Sequence, residues 1–298
     1  MGNSPIIIFG EVLFDCFPDG NQVLGGAPFN VAWHLQAFGL SPLFISRIGE
    51  DLQGDRIASA MDDWGMILEG LQRDPEHPTG SVRVTIIDQE PYYQIVENSA
   101  YDFIEFVPLS LWQKGSLLYH GTLALRNTKT LATLQQIQAS LAPAIFLDVN
   151  LRNPWWQPKT VAASLAQTTW LKLNQRELSL LVPQAPNFSQ QLEYLFVHYP
   201  LTAITVTQGK AGAISITRDG NQQEIRPTAT TSVIDTVGAG DAFSSVLILG
   251  IIQAWELKET LKRAQEFASA IIELQGATPQ NRAFYQPFLK DWNLKKQS

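Results

Sequence analysis

Short, almost wholly apolar runs recur along this chain, separated by stretches long enough for a helix. Residues 6–9, 117–120, 144–149, 170–173 and 203–207 are such runs. A strand that is apolar at consecutive positions is buried on both faces. Strands separated by helices join through right-handed crossovers into a parallel sheet with helices on its faces. The expected fold is therefore α/β. The 298 residues suffice for one large core, or a core plus a small accessory piece. With 45% hydrophobic and 16% charged residues, the composition is globular rather than disordered. No repeat, low-complexity tract or linker divides the chain.

One segment breaks the pattern. From 81 to 87, Val82, Val84 and Ile86 alternate with Arg83 and Thr85. Asp88-Gln89-Glu90-Pro91 is turn material, and 92–96 is a second run. This reads as a β-hairpin with one wet face.

The most chemically pointed stretch is Asp235-Thr236-Val237-Gly238-Ala239-Gly240-Asp241-Ala242-Phe243. Residues 228–234 before it read as a strand or extended connection, and the nearly unbroken apolar run 242–254 after it reads as a buried helix. Glycines at a helix start let several N–H groups converge, and the helix dipole adds positive potential there. Such a place attracts phosphate. A carboxylate there, Asp241, makes chemical sense if it takes a proton from a hydroxyl that attacks phosphorus. The competing reading is an N-cap on an ordinary turn.

Other candidates follow along the chain. Gly10-Glu11 ends the first apolar run, and Asp15 lies just beyond, where open α/β sheets bind ligands; a solvated loop acid is the alternative. Gly25, Gly26 and Asn30 open a helix that Gly39 closes; glycine admits close approach, and an amide can donate to and accept from a hydroxyl. Arg152 follows the strand at 144–149 and fits an anion or an ion pair equally well. Asn174 and Glu177 are spaced to cap a helix or to hold a hydrated Mg²⁺. Thr207, Gly209 and Gly212 mark a strand followed by a turn that is not a Walker A loop. Gly276 ends a one-face helical stripe.

The charge of −7 argues against a nucleic-acid or anionic-membrane partner. The single cysteine, Cys16, excludes an internal disulfide and suits a reducing compartment. No run is long enough to span a bilayer and no signal peptide is recognisable, so a cytoplasmic protein is expected.

Taken together, the two glycine segments resemble the signatures of the ribokinase-like (PfkB) carbohydrate kinases. Gly-Glu-x-x-x-Asp at Gly10, Glu11 and Asp15 looks like the fructokinase branch, whereas Asp-x-Asn-x-Arg at Asp148, Asn150 and Arg152 resembles a pattern that fructokinases and keto-sugar-acid kinases share. Val237 stands where members usually carry threonine. Ile95 stands where 2-keto-3-deoxygluconate kinases tend to carry arginine. The resemblance implies a three-layer αβα fold with a mainly parallel central sheet and a small β lid. Residues 1–11, 23–80 and 107–298 would form the large domain, and 12–22 and 81–106 the lid. It further implies an ATP-dependent sugar kinase, with Asp241 as base and Gly238, Ala239 and Gly240 as anion hole. Asp15, Gly25, Gly26, Asn30 and Arg152 would bind sugar; Asn174, Thr207, Gly209, Gly212 and Gly276 would line the nucleotide. Glu177 and Asn174 would hold Mg²⁺ through water, and Asp235 is a candidate for K⁺. Arg47, Glu50 and Asp51 read as structural. The expected ligands are ATP and a small sugar, fructose first. Ribose, a nucleoside, a keto-sugar acid, a sugar phosphate, and a sensor that has lost catalysis are the alternatives. A homodimer through the lid is a further expectation.

Overall fold

The computed structural model describes residues 6–87, 90–108, 114, 116–227 and 233–294. In chain order it begins with β1 (Ile6–Phe9), β2 (Leu13–Cys16), β3 (Gln22–Gly25), α1 (Ala27–Ala37), β4 (Leu43–Gly49), α2 (Leu52–Asp63) and β5 (Leu71–Asp74). Next come β6 (Gly80–Ile87), β7 (Glu90–Ile95), β8 (Leu117–His120), α3 (Thr128–Leu141), β9 (Ala144–Asp148), α4 (Pro158–Leu165) and β10 (Trp170–Asn174). The chain continues through α5 (Gln175–Leu181), α6 (Phe188–His198), β11 (Ala203–Thr207), β12 (Ala213–Thr217) and β13 (Gln222–Ile225). It closes with α7 (Ala239–Ile252), α8 (Leu257–Ile271) and α9 (Gln286–Asp291).

Among the described residues, nine strands form one sheet in the order β13-β12-β11-β10-β9-β8-β1-β4-β5. From β11 to β5 every neighbouring pair is parallel, and β12 and β13 add an antiparallel edge. Alternate residues of one strand enter cores on opposite faces, as the period-two geometry of a strand requires. In β1, Ile6 and Ile8 join the core with Phe29 and Val31 of α1 and Val246 of α7, whereas Ile7 and Phe9 join Leu134 and Ile137 of α3. The sheet therefore lies between two helical layers, as expected. All four residues of β1 are buried, which accounts for their unbroken apolar run.

The strand order fixes where a ligand can enter. From β1 the chain crosses to β4 on one side; from β8 it crosses to β9 on the other. Between these parallel neighbours, with Phe9 opposite His120, the sheet has its topological switch point. A crevice opens there at the carboxyl ends of the strands.

A second sheet has the order β3-β2-β6-β7. It holds the expected hairpin, with Val82 and Val84 buried. Its β3 strand runs to Gly25, past the expected boundary at 22. Glu90 and Pro91 pair with Ile87 and Ile86, so they belong to β7 rather than to the turn. Proline is tolerated because β7 is an edge strand and needs no ladder N–H there. Asp88 and Gln89 lie outside the described residues, as do 228–232 of the expected strand before the glycine turn. Asp51, read as structural, caps α2 by accepting from the Gly54 N–H and also accepts from the Thr79 N–H, both at 2.8 Å. Among the described residues no helix is long and apolar enough to cross a membrane.

Candidate active site

The glycine turn opens α7 as its sequence suggests. Gly238 is the N-cap, in the left-handed region at φ 81°. A Cβ there would also strike Ala277, whose Cα would be only 2.8 Å away. Both backbone and space therefore demand glycine. The Ala239 N–H leans weakly on the Thr236 carbonyl at 3.4 Å, and the Ala242 N–H closes the first turn on the Gly238 carbonyl at 2.8 Å. The preceding loop is tied down by Asp235, which accepts from the Val237 N–H at 2.9 Å and from the Gly276 N–H at 3.1 Å. This joins the glycine turn to the segment after α8.

Asp241 is not an N-cap. It sits within the first turn of the helix, three residues past the cap, and its Oδ2 accepts a hydrogen bond from Asn30 Nδ2 at 2.8 Å. The two glycine segments, far apart in sequence, thus meet through one side-chain contact. Asn30 is buried on the first turn of α1, and its Oδ1 is buried without a partner. Gly26, at φ 112°, caps that helix; a Cβ on it would lie 2.6 Å from the Glu11 carbonyl oxygen. A Cβ on Gly25 would touch Asn30 Oδ1 and Asp15 Oδ2, each at 3.8 Å, so Gly25 lies beside both. Asp15 stands half-buried on β2 rather than in a loop. Gly25, Gly26, Asn30, Asp15 and Asp241 are therefore one group.

Burial pushes the Asp241 carboxyl from its ordinary 3.8 up to about 6; the Asn30 hydrogen bond pulls it down and the Asp148 charge pushes it up. Asp15 also rises to about 6, chiefly through burial, against the pull of Arg152 and with a push from Asp235. Arg152 is exposed, yet its charge reaches Asp15, Asp241 and Glu11.

Beneath α7 lies a buried network without an assigned role in the sequence. Lys172 Nζ donates to Asp148 Oδ2 at 2.8 Å, and the Ser244 hydroxyl donates to the same oxygen at 2.7 Å. A Cβ on Gly240 would come 3.2 Å from Lys172 Nζ. Burial alone would lower the Lys172 pKa; Asp148 outweighs it and holds the ammonium charged. The network fixes an ion pair under the first turn of α7, with its ammonium end next to Gly240. A lysine inside the apolar run of β10 was the signal that could have found it, because a buried lysine needs a partner.

Asn174 and Thr207 end adjacent strands β10 and β11 and pair in register. Gly209 and Gly212 take φ 57° and 99° in the turn beyond, and a Cβ on Gly212 would run into the Ile225 carbonyl. These residues line the same carboxyl edge of the sheet as the glycine turn.

The match to known proteins decides the family. Residues 15–283 match the pfkB family carbohydrate kinases, which is most of the chain. The chain belongs to the pfkB family of carbohydrate kinases. It is 29% identical to the fructokinase of Vibrio alginolyticus over 259 residues, covering 82% of this chain and 83% of that one. The fructokinase of Xylella fastidiosa, solved with bound ATP, superposes with a TM-score of 0.83 at 18% identity, covering 97% of this chain and 99% of that one. The aminoimidazole riboside kinase of Salmonella enterica, solved with aminoimidazole riboside and an ATP analogue, does so with 0.82 at 22%, covering 98% and 100%. Both superpositions establish the fold.

In a carbohydrate kinase of this family, a metal accompanying ATP has to find oxygen ligands. Asn174 and Glu177 form a capping box: Asn174 Oδ1 accepts from the Glu177 N–H at 2.9 Å, and Glu177 Oε2 from the Asn174 N–H at 2.8 Å. Glu177 Oε1 accepts from the Leu151 N–H at 2.8 Å. Burial pushes the Glu177 carboxyl up and the Asn174 N–H counters it. Each oxygen retains a lone pair after these bonds. Among the described residues no three His, Cys, Asp or Glu side chains gather as a cation site. That set fits a hydrated Mg²⁺ held through its waters rather than a protein cage.

Proposed function

We propose that this carbohydrate kinase transfers the γ-phosphoryl group of ATP to a primary hydroxyl of a monosaccharide, with fructose as the substrate. The observation that carries the reading is the Asn30–Asp241 hydrogen bond. It sets a candidate sugar-binding amide against a candidate base at the mouth of a helix N-terminus. The fructokinase relatives support fructose as the substrate.

In this reading Asp15, Gly25, Gly26 and Asn30 hold the sugar, and Arg152 supplies positive charge at the rim. Asp241 accepts the hydroxyl proton as the sugar oxygen bonds to phosphorus and the bond from phosphorus to the leaving ADP oxygen breaks. The N–H groups at Gly238, Ala239 and Gly240, backed by Lys172, stabilise the charge on the moving phosphoryl group. Thr207, Gly209, Gly212 and Gly276 lie along the nucleotide. Mg²⁺, bound with ATP, would neutralise phosphoryl oxygens, its water shell resting on Asn174 and Glu177. Asp235 is the carboxylate a K⁺ ion would use. The small sheet closes over the sugar as a lid, so that phosphate passes to sugar and not to water. The enzyme works in the cytoplasm.

The test is ADP release with Mg-ATP across fructose, ribose, 2-keto-3-deoxygluconate, adenosine and fructose 6-phosphate. Fructose should give the highest kcat/KM. A higher value for any other acceptor reassigns the substrate, and ATP binding without turnover of any of them favours a sensor.

A further inference from the structure

Glu11 and Arg126 play no part in the mechanism above, yet both stand at the switch point. Glu11 lies just past the carboxyl end of β1, and Arg126 ends the 3-10 turn Leu123–Arg126 that follows the neighbouring strand β8. They follow two adjacent strands at the carboxyl edge where open parallel sheets take their ligands. The Glu11 backbone also abuts Gly26, whose missing side chain makes room for its carbonyl.

Each side chain is left with one unsatisfied polar atom. Glu11 is 3% exposed, and its Oε2 is buried without a hydrogen-bond partner. Arg126 gives Nε to Asp102 Oδ1 and Nη2 to Asp102 Oδ2, both at 2.7 Å. Nη2 also reaches the Val96 carbonyl at 2.7 Å and the Tyr101 hydroxyl at 3.0 Å. Its Nη1 is buried and unpartnered. The two side chains act on one another, and Glu11 also acts with Arg152 and Asp241 of the candidate active site. A buried charged group left short of a partner is costly and calls for one.

A buried unfilled acceptor and a buried unfilled donor within electrostatic reach of one another match a group that both donates and accepts. A hydroxyl does both at once. We propose that Glu11 Oε2 and Arg126 Nη1 form a second hydroxyl-binding subsite, which holds a sugar hydroxyl other than the one phosphorylated. Through Val96, Tyr101 and Asp102, Arg126 would couple that hydroxyl to the base of the small sheet. The proposal rests on the sugar-kinase reading and adds to it a determinant of which sugar is accepted.

The experiment compares wild type, Glu11→Gln and Glu11→Leu for binding and turnover of fructose and of its singly deoxygenated analogues. Deleting the hydroxyl that fills the subsite should weaken wild-type binding by roughly ten- to a hundredfold. The same deletion should cost Glu11→Leu far less, while every other deletion costs both proteins equally to within about twofold. ATP affinity should not change. Equal losses for every deletion in wild type and variant would overturn the subsite, even if Glu11→Leu binds fructose weakly. Glu11→Gln preserves shape and keeps the comparison available should Glu11→Leu fail to fold; uniform losses in it overturn the proposal likewise. Failure of wild type to phosphorylate fructose overturns the parent reading and the subsite with it, whereas turnover with uniform losses overturns the subsite alone.

Discussion

At the scale of single residues, the chemistry turns on how the protein treats partly buried carboxylates. Asp241 and Asp15 are both raised to about 6, because burial disfavours their charge more than nearby donors and cations favour it. A protonated Asp241 cannot accept a proton, so the acid side of the profile is the inactive side. The expected result is that kcat/KM rises as pH climbs through about 6 and levels off above it. A profile that stays flat down to the ordinary carboxylate range would show that Asp241 is not the base. Asp241 stood out in the sequence because a carboxylate on a phosphate-attracting turn is an anomaly. Its partner Asn30 could be read only as a hydroxyl binder, since a contact spanning 211 positions leaves no trace in local pattern. Arg126 had no motif around it at all. Its significance comes from one guanidinium nitrogen that folding leaves unpaired.

At the scale of elements, the N-terminus of α7 is the piece most sharply specified. Gly238 is held by two independent demands, a φ of 81° and the closeness of Ala277. Gly238→Ala should lower stability by about 1–3 kcal/mol and reduce turnover more than it reduces sugar binding, which denaturant melts and paired kcat and KM measurements would check. Unchanged stability and turnover would mean that the turn is more tolerant than its packing implies. The alternation of apolar runs and helical stretches was legible because β1, β8, β9, β10 and β11 are buried on both faces and leave no polar period. The lid hairpin was legible for the opposite reason, as a two-residue alternation. Its turn was drawn two residues too long: proline reads as a breaker, and only the edge position of β7 makes Pro91 acceptable. Asn174 and Glu177 show one spacing serving two purposes. Their capping box is complete, and the spare lone pairs on the same oxygens are what a hydrated cation would use.

At the scale of the whole molecule, function depends on bringing the two ends of the chain to one edge of the sheet. β1 lies third from one edge of the nine strands, flanked on both sides, and α1 packs against α7. That packing lets the proposed base, Asp241, meet the Asn30 amide from near the other end of the chain. The fold class could be read from the apolar runs and the helix-length stretches between them, but which residues meet across the switch point is a property of the assembled sheet. The most direct test of the account is turnover and nucleotide binding of Asp241→Asn beside the wild type, with Mg-ATP and fructose. The account predicts a fall in turnover of roughly 10²–10⁴-fold with ATP affinity largely kept. Wild-type turnover in that variant would contradict it.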